Sequence, residues 1–197
     1  MTAISNSQIV IVTGLPRSGT SMMMKMLEAG GVPSLCDGQR VADSDNPNGY
    51  YEFEPVKQTK TDASWLNDAP GKAVKMVYSL LYDLPTDRSY DVVFMRRELN
   101  EILASQNQML RNMQIASSVD DDRMGRLFQH EITKFIRWLE TADHINCIEV
   151  GYNDVAAGQS TPVSEINAHL GGNLNTQAMS SVVDPSLYRN RAVTAAA

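Results

Sequence analysis

The stretch Ile9-Val10-Ile11-Val12, followed at once by Gly14-Leu15-Pro16-Arg17-Ser18-Gly19-Thr20-Ser21, leaves this chain few ways to fold. A β-branched strand that ends in a glycine-bracketed loop and then opens a helix at Thr20 gathers two anion-holding features at one point. They are the unpaired backbone N–H groups of the helix start and the positive end of the helix dipole. The spacing matches the nucleotide phosphate loop G-x-x-x-x-G-K-[ST] except at one place. Thr20 stands where that pattern has lysine, and the cation sits three residues earlier, at Arg17. A kinase or nucleotide hydrolase needs the lysine between its β- and γ-phosphates, so the loop is expected to grip a phosphate without ATP chemistry.

Composition narrows the partners. The 197 residues suffice for one good core, and a single domain over 1–197 is expected. A net charge of −6 argues against a general nucleic-acid or acidic-membrane binder, so any anion site must be local. Cys36 and Cys147 are isolated thiols without metal-ligand spacing, in keeping with a reducing compartment. The N-terminus lacks the basic start and apolar core of a signal peptide, and no apolar stretch is long enough to span a bilayer. A cytoplasmic protein is the expectation. His130, His144 and His169 are scattered, Asp120-Asp121-Asp122 reads as a helix start, and no metal is expected.

Strand and helix signals alternate, the pattern of a three-layer α/β fold with a mainly parallel central sheet flanked by helices. Strands are expected over Gln8–Thr13, Ala73–Ser79, Asp91–Met95 and Ile145–Val150. Helices are expected over Thr20–Ala29, Leu99–Met113, Met124–Leu139 and Pro162–Leu170, with a short one around Phe53–Trp65. Ser118–Asp122 reads as a helix cap. Gly31–Tyr50 is a long polar loop, expected to be functional or mobile. From Asn173 the chain turns polar, and a loosely ordered tail is expected, above all from about residue 185. Met22, Met23, Met24 and Met26 are expected to be core packing with one exposed face rather than an acceptor pocket.

Ligands of open parallel sheets bind beyond the carboxyl ends of the strands. The glycine loop lies there, and Arg96-Arg97 ends a strand on the same edge if that strand is parallel. Ser105 follows Arg97 by eight residues, two turns into the next helix. An arginine and a hydroxyl so placed can converge on a second phosphate, and two separated anion sites suit a nucleotide with both 5′ and 3′ phosphates. The alternative is a surface arginine paired with Glu98 or Glu101 and a serine on a helix flank.

Pro16-Arg17-Ser18-Gly19-Thr20-Ser21 resembles the 5′-phosphosulfate-binding loop of the sulfotransferase family, whose usual form is Pro-(Lys/Arg)-Ser-Gly-Thr-(Ser/Thr). Arg97-x₇-Ser105 resembles that family's 3′-phosphate motif, and the two fall in the expected order. The resemblance covers about Gln8 to Leu110. It implies a P-loop-like α/β sandwich and transfer of a sulfuryl group from 3′-phosphoadenosine-5′-phosphosulfate (PAPS) to a hydroxyl or amine. The Ser18–Ser21 backbone, with the Thr20 and Ser21 hydroxyls, would hold the 5′-phosphate. Arg17 would sit near the bridging oxygen, and Arg97 with Ser105 would hold the 3′-phosphate. The small-molecule branch carries Lys-x-His after its second strand. Here Lys75-Met76-Val77 keeps the lysine and lacks the histidine. Carboxylate-using branches point instead to Glu52, with Glu54 in reserve, where burial beside Tyr50 and Tyr51 would have to raise the base's pKa. Without family knowledge, Lys75 reads as a strand lysine reaching out from an edge and Glu52 as an acid favouring a helix start. Arg189 and Arg191 could reach a phosphate or belong to a solvated tail. The rival readings are a non-catalytic module for the same nucleotide, given the missing histidine, and a small P-loop kinase or hydrolase. The acceptor is left open among a small molecule, a sugar and a peptide.

Overall fold

The central strand β1 (Ile9–Gly14) is buried along its whole length and paired on both edges. A run of large apolar residues with no polar alternation forms a strand covered on both faces, and that is what the chain builds around it. The structure is a computed structural model, and it describes residues 3–40, 42–43, 46, 49–115 and 120–189. β1 leads through the glycine loop into α1 (Thr20–Ala29), and the chain continues through β2 (Ser34–Leu35), β3 (Lys72–Lys75) and β4 (Tyr90–Arg96). Next come α2 (Leu99–Asn112), α3 (Asp121–Leu139), β5 (Ile145–Gly151), α4 (Tyr152–Ala156), α5 (Ser160–His169) and α6 (Thr176–Ser181). The five strands form one sheet in the order β2-β3-β1-β4-β5, and every pairing is parallel.

The period-two geometry of a strand sorts the core into two. Val10 and Val12, with Val93 and Met95 of β4, face Met23, Met24, Met26 and Leu27 of α1, Val163 and Ile166 of α5, and Met179 of α6. Ile9 and Ile11, with Val92 and Phe94, face Trp65, Leu66, Leu81 and Phe135. The methionines of α1 are core as expected; only Met22 is half-exposed and borders the cleft described below. A third cluster joins Leu15, just after β1, to Ile102 of α2 and Ile132 of α3. It ties the glycine loop to the helix pair.

Several expectations need correction. β3 stops at Lys75 instead of continuing to Ser79. Met76 still donates to the Val12 carbonyl at 3.1 Å, but β1 then enters the glycine loop and offers no further partner. The chain winds instead into a 3-10 segment, Tyr78–Asp83, whose apolar side chains pack on α3. The helix expected over Phe53–Trp65 is two 3-10 turns, Glu54–Gln58 and Ser64–Asn67. Asp62 breaks them apart by accepting from the Ser64 amide. The polar tail holds an ordered helix. Asn175 caps α6 by accepting from the Ala178 amide, and Met179 is fully buried against Gly30, where any side chain would collide with it. Order continues through a further 3-10 turn at Pro185–Leu187, and residues 190–197, Arg191 among them, lie outside the described part. The cap of α3 is Asp120, which accepts from the Asp122 amide; Ser118 lies outside the described residues.

Phe135 has no exposed surface, and its ring lies 5.0 Å from that of Phe94, 5.6 Å from Tyr78 and 5.6 Å from Trp138. Phe135→Ala is expected to cost about 3–5 kcal/mol in urea denaturation, because the surrounding rings cannot collapse into the space. A loss below about 1 kcal/mol would contradict this packing.

Candidate active site

All parallel strands end on the same edge, so the glycine loop after β1, the residue after β4 and the helix start after β5 meet there. The register pairs Gly14 with Met95 and Arg96 with Gly151, which levels these three exits. Ser18 donates to the Leu15 carbonyl at 3.2 Å to close the loop, and Arg17 takes a left-handed φ of 70°. Gly19, the N-cap of α1, has φ 98°, and α1 carries no side-chain cap. Its first backbone bond into the loop comes from Met23 to the Gly19 carbonyl, at 3.1 Å. The amides from Thr20 to Met22 thus form an open donor cluster, the usual seat of an anion. A side chain at residue 19 would run into the Tyr152 ring at 2.3 Å, so both backbone geometry and space require glycine there.

Arg97 is held from several directions. Its Nε donates to Glu101 Oε2 at 2.9 Å and its Nη1 to the Arg17 carbonyl at 3.1 Å. The guanidinium carbon lies 4.3 Å from the centre of the Tyr152 ring. Only 7% of its side chain is exposed, and 1% of that of Glu101. Glu101 Oε1 also accepts from the Tyr188 hydroxyl at 2.6 Å and from Asn153 at 3.1 Å. Arg17 Nε donates to Ser105 Oγ at 2.9 Å. Arg97 and Ser105 are therefore joined through Arg17 rather than to each other. The Arg97–Glu101 pair weighed as a surface contact is present too, but buried. A buried arginine with a hydrogen-bonded carboxylate is fixed in place, since losing either partner strands a charge.

On the other side of the loop, Lys75 Nζ donates to the Tyr50 carbonyl, Arg40 stacks on the Tyr50 ring at 3.4 Å, and Arg40 Nη1 pairs with Glu52 Oε1 at 3.0 Å. Asn46 donates to Ser21 Oγ at 2.9 Å, tying the long polar loop to the start of α1. One cleft of about 1100 Å³ is lined by Pro16, Arg17, Gly19, Thr20, Ser21, Glu52, Lys75, Arg97 and Ser105. Ser18 lies beneath the loop instead, 1% exposed, and its hydroxyl has no hydrogen-bond partner. Glu54 pairs with Lys57 and does not border the cleft. Arg189 borders it.

Sequence reading overlooked the network around Arg97. Tyr152, Asn153 and Tyr188 carry no local motif, and Glu101 showed only its spacing of four from Arg97, read as a bland surface pair. Arg40 and Asn46 sat in a loop with no pattern. Among the described residues no group of three or more His, Cys, Asp or Glu is placed to hold a metal ion, and no helix is long and apolar enough to cross a membrane.

Burial pulls the Lys75 ammonium down to about 8, with Glu52 pulling back up and Arg40 adding to the fall. Below pH 8 folded and unfolded chains both carry this proton, and the folded protein bears the full cost of burying it. Between pH 8 and 10.5 the folded form releases the proton first, so stability climbs with pH, by up to about 3 kcal/mol. Urea denaturation across this range is expected to show the climb, and Lys75→Met to remove it. A flat profile in the unaltered protein would contradict the burial of this amine.

No family model and no curated protein matches the chain. Solved structures do. A sulfotransferase domain from the Synechococcus PCC 7002 olefin synthase aligns with 98% of this chain and 91% of its own, at 13% identity and TM-score 0.56. A sulfotransferase domain from the curacin biosynthetic pathway aligns with 93% and 90%, at 12% identity and TM-score 0.50. At such identities the likeness is one of architecture: this chain has the fold of sulfotransferase domains.

Proposed function

We propose that the chain, acting as one unit over 1–197, is a PAPS-dependent sulfotransferase. The observation that carries this reading is the joining of Arg17, Arg97 and Ser105 in one cleft beside an uncapped helix start. Two cationic groups from different strand ends suit a donor with phosphates at two positions better than one linear triphosphate. The residues fit such a donor on their own terms. The amides of Thr20 and Ser21 have no side-chain cap to displace. Ser105 Oγ accepts from Arg17, which leaves its own proton to donate to a ligand oxygen. The two solved structures named above are sulfotransferase domains by name, which accords with this reading.

Bound PAPS supplies an electrophilic sulfur, whose bond to the 5′-phosphate oxygen breaks as the acceptor oxygen or nitrogen bonds to it. The remaining work falls to this chain. The loop amides with the Thr20 and Ser21 hydroxyls hold the 5′-phosphate. Arg17, fixed at both its carbonyl and its Nε, neutralises charge on the leaving oxygen. Arg97 and Ser105 hold the 3′-phosphate. Lys75 adds positive charge where β3 ends. Glu52 accepts the acceptor's proton, and for this it must exchange its pairing with Arg40 for the acceptor. That pairing is also what favours the second reading, a non-catalytic module for the same nucleotide, because it occupies the base.

Incubation with sulfur-labelled PAPS and acceptor mixtures tests both readings. Transfer is expected. Arg17→Ala is expected to lower kcat by about 10²–10³-fold, the usual loss on removing a transition-state charge partner. Glu52→Gln is expected to abolish transfer while nucleotide binding persists. Tight nucleotide binding with no transfer, unchanged by Glu52→Gln, would establish the module instead; no binding of the nucleotide at all would overturn both.

A further inference from the structure

The cleft continues well past the arginines, and its character changes. Ser105, Met109 and Met113 all border it and are spaced by four along α2 and its C-cap, so they stack on one helix face, the last roughly 12 Å along the axis from the first. Met124 and Phe128, also four apart, border it from α3, and Val77 and Leu80 from the segment that leaves β3. One end of this face is polar, because Ser105 is bonded to Arg17. The other is apolar and uncovered: Met113 is 56% exposed and Val77 47%. No side chain that α2 or α3 contributes to the cleft is ionisable; besides those named, they are Gln106, Gln108 and Asn112.

We propose that this arm receives the acceptor, and that the acceptor is a neutral alcohol on an extended aliphatic body. The hydroxyl lies at the Arg17 end, beside the sulfur of the bound donor, and the chain runs along Met109 and Met113. The assignment of the occupant as acceptor rests on the donor reading above; its chemical class rests on the wall itself. An apolar surface left open beside a charged site is relieved of water by an apolar ligand, at a gain that grows with each methylene. The unbranched, flexible methionine side chains shape themselves to a chain without demanding a rigid ring. A charged peptide would need counter-charges along this wall, and α2 and α3 supply none here. In the transfer step the alcohol oxygen bonds to sulfur as the sulfur–phosphate oxygen bond breaks, and its proton passes to Glu52.

Calorimetric titration of the full chain with butan-1-ol, hexan-1-ol and octan-1-ol tests the arm, and a separate titration with adenosine 3′,5′-bisphosphate tests the donor end. Alcohol Kd is expected to fall about fourfold per added methylene. Met113→Asp, at an exposed helix end, is expected to weaken octan-1-ol at least tenfold and leave the bisphosphate affinity unchanged. Leu127→Asp, on α3 but outside the cleft, is expected to alter neither. Labelled PAPS is expected to sulfate octan-1-ol. Bisphosphate binding without alcohol binding would overturn the proposal, as would alcohol affinity that ignores chain length or Met113→Asp. If the alcohols bind with this length dependence and the bisphosphate does not, the apolar arm stands and the donor reading falls.

Discussion

Arg17 is bonded at both ends, and the site depends on it. Its carbonyl accepts from Arg97 at the end of β4, and its own guanidinium donates to Ser105 on α2. A left-handed φ at a residue other than glycine is a strained position. These two bonds hold it there. The glycine loop, the strand end and the helix are thereby locked into one piece, with a cation presented at a fixed point beside the open amides of α1. In an acidic protein such a concentration of positive charge needs internal balance. Buried Glu101 provides it for Arg97, and half-buried Glu52 for Arg40.

The sheet accounts for why these groups meet. Because every pairing is parallel, each strand delivers its following residues to the same edge, and the registers differ too little to scatter them. Each exit then contributes one element: open amides after β1, a lysine at the end of β3, an arginine after β4, and an aromatic floor, Tyr152, after β5. Tyr152 serves twice. Its ring lies against Gly19 and under Arg97, so the backbone of the loop and the arginine share a single packing surface.

What the residues disclosed in advance follows from the range of each interaction. α1 was legible to the residue, because a glycine loop before Thr20 and glycines after Ala29 are local signals. The parallel sheet was legible from strand–helix alternation, and the place of Arg97 on the glycine-loop edge from its position at a strand end; the Arg17–Ser105 bond was not. The contacts of Glu101 with Tyr188 and Asn153 were not, since they join residues 87 and 52 positions apart. The end of β3 was misjudged because Val77, Tyr78 and Leu80 have the composition of a strand, while its length was set by where its neighbour β1 turns away. The ordered tail was missed for a related reason. Met179 is one apolar residue in a polar segment, and its packing against α1, beside Gly30, and against α5 makes it a core residue.

The central claim is that the two arginines form one site for a nucleotide phosphorylated at both 5′ and 3′ positions. Comparing the affinities of adenosine 3′,5′-bisphosphate and adenosine 5′-monophosphate by calorimetry tests it directly. A charge-assisted bond of about 1.5–3 kcal/mol from Arg97 to the second phosphate predicts binding of the bisphosphate tighter by roughly 10- to 150-fold. It also predicts that Arg97→Ala erases the difference between the two nucleotides. Equal affinities for the two nucleotides in the unaltered protein would contradict it.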